Sequence, residues 1–378
     1  MPREGIPITA RLVTWARERA GLTIEEARQK FGQIEAWEAG DLYPTYPQLE
    51  RLADEFRLPI AVFFFPEPPT LPPIRDSFRT LPDTEFAQIP RRVTFLLRRA
   101  KALQLNLTEL NEGRNPARRL ITRDLTFPDN VATEAMAGRV RDYLGVQLAD
   151  QIAWANDDIA LKQWRKTLLD VGIFVFKDAF RVEAYSGFCL YDDEFPIIYA
   201  NNSSTKTRQI FTLFHELAHL LFHTSGIDTL EDHYVSRLPE HERRIEILCN
   251  RFAAQFLVPE TAFEQALAGR DPSERTAEEL AARFHVSREF IYRKFLDRGL
   301  ISEADYTRGA RRWTEQRRGG SGGNPYWNKI SYLGREYIAL ALNRFYQNKI
   351  DEEQLGEYLE TKPRNLAALE EHFARGSE

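Results

Sequence analysis

The stretch that most constrains this chain is Arg208 to His223, RQIFTLFHELAHLLFH, which reads as one apolar helix carrying H-E-x-x-H. Residues i and i+4 share a helix face one turn apart, so His215 and His219 can offer imidazole nitrogens to a single ion. Glu216 points to the neighbouring side, where it can take a proton from a water without binding the metal. Two candidate ligands and a candidate base thus stand within five residues.

A catalytic zinc takes three protein ligands and keeps one open position. His223 lies a further four residues on, but at 1.5 Å rise per residue it sits about 12 Å from His215 along a straight helix, against a zinc-nitrogen bond of about 2 Å. It is therefore expected to pack or to support a ligand. The segment PEHERRIEILCNRFAAQFL, ended by Pro259, offers a better third ligand. Ile245, Leu248, Phe252, Ala253 and Phe256 form its buried stripe, and Glu246 sits beside them, where a carboxylate is costly unless paired or metal-bound. Asn250, one turn later, is expected to orient it. Glu231, Asp232, Glu240 and Glu242 lie in more polar surroundings. The expected reaction is metal-assisted hydrolysis, with Glu216 passing the proton of the attacking water to the leaving amine. Ser186–Leu190 is expected to offer an edge to an extended peptide. His233, Tyr234 and His241 lie in a loop region that could close over the site.

The 378 residues suggest two or three domains, and 43% apolar content with a net charge of −5 describes an ordered globular chain. Two cysteines, Cys189 and Cys249, exclude a disulfide framework or a four-cysteine zinc site and favour a reducing, intracellular compartment. MPREGIPITA lacks a signal-like apolar core, and no run approaches the roughly 18 apolar residues of a membrane span. A cytoplasmic protein with no membrane association is expected.

Residues 8 to 57 carry short helical patterns, and Thr23 followed by Glu26 is a capping-box signature. Prolines in PIAVFFFPEPPTLPP, Pro59 to Pro73, mark a junction. The run RRVTFLLRRAK from Arg91 reads as a helix with a solvated cationic face. GIFVFK and SGFCLYDDEFPIIYANN read as strands ahead of the metal helix. RRGGSGGNP, Arg317 to Pro325, reads as a flexible linker, after which Ile330, Leu333, Tyr337, Ala341 and Phe345 recur at helical spacing.

FTLFHELAHLLFH, EILCNRFAAQFLVP and SGFCLYDDEFPIIYANN together resemble the ImmA/IrrE family of bacterial and phage metallopeptidases, over roughly residues 160 to 300. The resemblance implies zinc held by His215, His219 and Glu246, with Glu216 as base and manganese as the alternative ion. It also implies a partner protein as substrate, a transcriptional repressor in the family members that are understood. GLTIEEARQKFG, WEAGDLYPT and QLERLADEF resemble an XRE-type helix-turn-helix. The expected class is thus α+β and mostly helical. It comprises an all-α helix-turn-helix domain over 1–70, a zincin-like catalytic domain with a small sheet over 71–310, and a helical C-terminal domain over 325–378.

Only QIEA separates Gly32 from Trp37, so the part of an XRE domain that reads base edges is shortened. Residues 1 to 70 also carry 8 basic against 11 acidic side chains, a poor footprint for phosphate. A protein contact is therefore the stronger expectation for this domain, and DNA the weaker. A second helix-turn-helix shape, Glu278 to Ser302, presents Arg288, Arg293 and Lys294, with packing the expected role. The rival to an endopeptidase is a DNA-binding regulator with a structural or sensory metal site. Glu216 argues against the rival, since a structural zinc site has no use for a general base.

Overall fold

The computed structural model describes residues 5–20, 22–56, 58–69, 86, 89–229, 238–315 and 324–376. The chain divides into two compact units, one containing the described residues up to 69 together with 89–95, the other running from residue 96 onward.

The first unit is helical: α1 (Ala10–Arg19), α2 (Ile24–Lys30), α3 (Ile34–Ala39) and α4 (Tyr46–Phe56). Their apolar faces meet at Leu12, Val13, Ile34, Trp37, Leu49 and Leu52. The capping box forms as its residues dictate. The Glu26 amide donates to Thr23 Oγ1 at 3.3 Å and the Thr23 amide to Glu26 Oε2 at 2.8 Å, satisfying two donors left open by the first turn of α2. The helix after it, α3, has only six residues before Gly40 ends it in the left-handed region.

Helix α5 (Arg91–Leu110) starts among the residues of the first unit and continues in the second, where α6 (Thr133–Leu144), α7 (Leu148–Ala153) and α8 (Asp157–Asp170) precede strands β1 (Phe174–Asp178), β2 (Tyr185–Leu190) and β3 (Ile197–Asn201). The metal helix is α9 (Lys206–Leu221), started by Thr205, whose hydroxyl accepts from the Arg208 amide. After β4 (Ile227–Thr229) come α10 (Glu240–Leu257), α11 (Glu260–Leu267), α12 (Glu274–Phe284), α13 (Arg288–Asp297) and α14 (Glu303–Glu315). The last described helices are α15 (Pro325–Leu333), α16 (Arg335–Tyr346), α17 (Glu352–Tyr358) and α18 (Leu366–Arg375). A mostly helical α+β architecture results. The linker reading at 317–323 and the candidates Glu231, Asp232, His233 and Tyr234 lie outside the described residues.

The sheet order is β1-β3-β2-β4, parallel between β1 and β3 and antiparallel elsewhere. This corrects the expectation of a free peptide-pairing edge at Ser186–Leu190. β2 has β3 on one side and β4 on the other, because the chain leaving α9 returns along that side. Arg99 of α5 departs likewise from the solvated face expected of RRVTFLLRRAK: it is largely buried and ion-paired with Asp178 and Glu360.

Helix α9 lies on β2 and β3 and packs against both α8 and α10. Aromatic contacts fix that three-helix junction: Trp164 of α8 meets Phe214 edge-on at 4.7 Å, and Phe214 stacks on Phe256 of α10 at 4.1 Å. Close-packed rings of this size leave the two site-bearing helices little freedom to slide.

Candidate metal centre

The register of α9 against α10 brings His215, His219 and Glu246 together. Glu246 Oε1 lies 3.2 Å from His215 Nε2, Glu246 Oε2 lies 3.1 Å from His219 Nε2, and the two imidazole nitrogens are 3.2 Å apart. A tetrahedral ion with bonds of about 2 Å has ligand atoms about 3.3 Å apart, so this triangle of nitrogen, nitrogen and oxygen suits one zinc-like ion with a fourth direction left over. The donor chemistry agrees: two neutral imidazoles and a carboxylate are a catalytic rather than a closed structural set.

Burial pushes the Glu246 carboxyl up and the His215 imidazolium down. Their contact outweighs this, so Glu246 is held well below the usual carboxylate range and His215 well above the usual histidine one. Metal entry therefore has to displace a proton from this pair.

Two neighbours shape the ligands. Thr224 Oγ1 donates to the His219 carbonyl at 3.1 Å and sits 3.3 Å from His219 Nδ1. With its own proton committed, the hydroxyl can only accept there, which keeps hydrogen on Nδ1 and leaves Nε2 bare for an ion. A side chain at Gly226 would fall 2.5 Å from His219 Cδ2, so glycine is what admits the ring. Sequence reading missed both residues, whose spacing from the motif follows from the turn after α9.

Glu216 is fully buried, and neither carboxylate oxygen has a hydrogen-bond partner among the described residues. Burial raises its carboxyl to about 7, against the pull of His215 and His219. An uncommitted carboxylate of that basicity beside the triangle is suited to exchanging a proton with water. Helix α9 is pinned to the sheet by Asp228 of β4, which accepts from Arg208 at 3.2 Å and from Thr212 at 3.0 Å and whose charge also acts on His215 and Glu216.

The remaining candidates fall elsewhere. His223 is the left-handed residue just past α9; its Nε2 contacts the Thr122 carbonyl at 3.0 Å and its ring faces Tyr191. Asn250, expected to orient Glu246, donates at 3.1 Å to the main-chain carbonyl of that residue. Glu240 and His241 are exposed at the start of α10, with His241 turned toward Asp129, and Glu242 is partly exposed. Cys189 and Cys249 are buried free thiols. In the α12–α13 pair Lys294 binds Glu260 at 2.8 Å and Arg293 binds Asp297 at 3.0 Å, so those cations are neutralised within the fold.

Two helices against a small sheet, converging on two imidazoles and a carboxylate with a free glutamate beside them, are the arrangement of a metallopeptidase domain. Residues 169–296 match the model of the IrrE N-terminal-like domain, Peptidase M78. The radiation response metalloprotease IrrE of Deinococcus radiodurans is 37% identical over 98 residues, 26% of this chain and 30% of that protein. IrrE of Deinococcus deserti is 39% identical over 100 residues, 26% of this chain and 34% of that one. The aligned region thus spans about a third of the length of these curated relatives. A solved structure described as a Mycobacterium tuberculosis transcriptional regulator aligns over 43% of this chain and 46% of its own, at 20% identity and a TM-score of 0.28. Residues 169–296 are thus similar to the IrrE N-terminal-like domain of metallopeptidases.

Proposed function

We propose that this protein is a metal-dependent endopeptidase of regulatory type, which hydrolyses a peptide bond in a partner protein. Zinc is the preferred ion, manganese the alternative, and a transcriptional repressor the preferred substrate. The observation that carries this reading is the triangle of His215, His219 and Glu246 beside a buried, unpartnered Glu216.

His215, His219 and Glu246 would hold the ion, which when bound supplies Lewis acidity to a water and to the scissile carbonyl. Glu216 receives the proton of the attacking water, and its basicity near neutral pH suits it to return that proton to the leaving amine. Thr224 keeps the His219 ring in the tautomer that leaves Nε2 available. The first unit is assigned a protein-contact role rather than DNA reading: its residues are net acidic and α3 is short where a recognition helix would enter the groove. No helix of the described residues is long and apolar enough to cross a membrane.

The test is incubation of metal-loaded wild type and Glu216→Gln with repressors encoded nearby. The variant is expected to keep its metal and to cleave about 10²- to 10⁴-fold more slowly. Equal cleavage by both proteins refutes the role of Glu216.

A further inference from the structure

Away from the metal centre, a cavity of about 330 Å³ opens between α8, β1, the first residue of α9 and the α15–α16 junction. Its walls are apolar where Phe174, Phe176, Ile330 and Leu333 contribute, and elsewhere mainly basic, with the carboxylates of Asp158 and Glu336 also in the lining. The unusual group is Lys177 of β1. It is only 3% exposed, it lines the cavity, and among the described residues its side chain makes no hydrogen bond or ion pair, with Asp158 an opposing charge at longer range. A buried unpaired ammonium is expensive, and its neighbours worsen matters. Among the described residues Arg165 donates to two neutral carbonyls, Ser331 O at 3.0 Å and Val175 O at 2.8 Å, with Glu336 as a nearby opposing charge. Lys206 adds a third charge, offset by Asp158 at 3.1 Å, whose side chain is 75% exposed. Burial and the charges of Arg165 and Lys206 together push the Lys177 ammonium down to about 6.

Two backbone features face the same space. Gly334, in the left-handed region at φ +88°, carries no side chain where a Cβ would press at 3.3 Å on the Arg165 guanidinium. It is also the N-cap of the twelve-residue α16 and supplies no capping side chain at the positive end of that helix. Arg335 adds a further cation to the lining, against Glu336. The fixed charge of Arg165, a lysine amine whose protonation an incoming anion would favour, the positive end of a helix and apolar walls are the ingredients of a site for a phosphate attached to a small apolar body.

We propose that this cavity binds a small phosphate monoester, with Lys177, Arg165 and the N-terminus of α16 around the phosphate and the apolar wall against its organic part. The volume lies at the small end of ligand pockets, which fits a metabolite-sized molecule. Because Lys206 opens the helix that carries His215 and His219, the cavity and the candidate metal centre share one rigid element. The binding proposal itself does not depend on the peptidase reading.

The experiment is calorimetric titration of the full chain with inorganic phosphate and with AMP, using adenosine and sodium chloride at matched ionic strength as controls. One saturable site is expected for AMP and a weaker one for phosphate, with no binding of adenosine. Lys177→Met should weaken AMP by at least about tenfold, the loss of one charge-assisted bond, while Lys177→Arg retains part of it. Should Lys177→Met fail to fold, Lys206→Gln at the rim should weaken AMP in the same direction. Absence of saturable binding by both phosphate and AMP overturns the proposal, and so does wild-type affinity in the folded Lys177 or Lys206 variant.

Discussion

Replacing Glu246 by glutamine keeps the shape of the side chain and removes its charge, so it isolates what the carboxylate does between the two imidazoles. That carboxylate stands 3.2 and 3.1 Å from the two imidazole nitrogens at 7% residue exposure. Removing one partner of a buried pair costs about 3–5 kcal/mol because the other charge is stranded. For a unit of this size that lowers the melting temperature by roughly 10 °C. Metal widens the gap. At a free ion concentration of about 100 times Kd the wild type gains about 2.7 kcal/mol from binding. If loss of the anionic ligand weakens binding about 100-fold, the variant gains only about 0.4 kcal/mol at the same concentration. The assay is calorimetric melting of both proteins with zinc and with chelator, together with metal content by mass spectrometry after dialysis. A Glu246→Gln protein that holds one ion per chain with wild-type affinity, and melts with the wild type in chelator, refutes the three-donor geometry.

Thr224→Val removes the hydroxyl that fixes the His219 tautomer and should lower zinc affinity by about 10- to 100-fold with little change in fold; unchanged affinity in a competition titration defeats the argument. A pH prediction follows from Lys177, whose ammonium is depressed to about 6 by burial, then by Arg165 and Lys206, with Asp158 opposing. The unfolded chain keeps a lysine value near ~10.4. Between those values the unfolded state binds a proton that the folded state does not, so stability rises with pH by up to about 1.4 kcal/mol per unit from this group. The penalty is complete below pH ~6 and gone above ~10.4. Arg335, Glu336 and Lys162 line the same cavity and are common to both proteins, so denaturant titrations of wild type and Lys177→Met should differ by that slope. Parallel slopes contradict the buried ammonium.

The sequence by itself settled what repeats every turn or every second residue. Both helices of the metal centre were legible from apolar spacing and from Pro259, as was α2 from its capping box, because those signals act within a few residues of chain. His215, His219 and Glu216 were legible because a helix carries them as one rigid unit. Glu246 could be singled out only as a carboxylate set beside an apolar stripe; its meeting with the imidazoles at 3.1 and 3.2 Å depends on the Phe214–Phe256 stack between α9 and α10. The interior place of β2 was equally beyond local reading, since it needs β4 to return after a sixteen-residue helix. Thr224, Gly226 and Lys177 look ordinary in sequence. Packing alone gives them their roles, by placing a hydroxyl and a bare backbone against one imidazole and an ammonium where neither water nor acid reaches it fully.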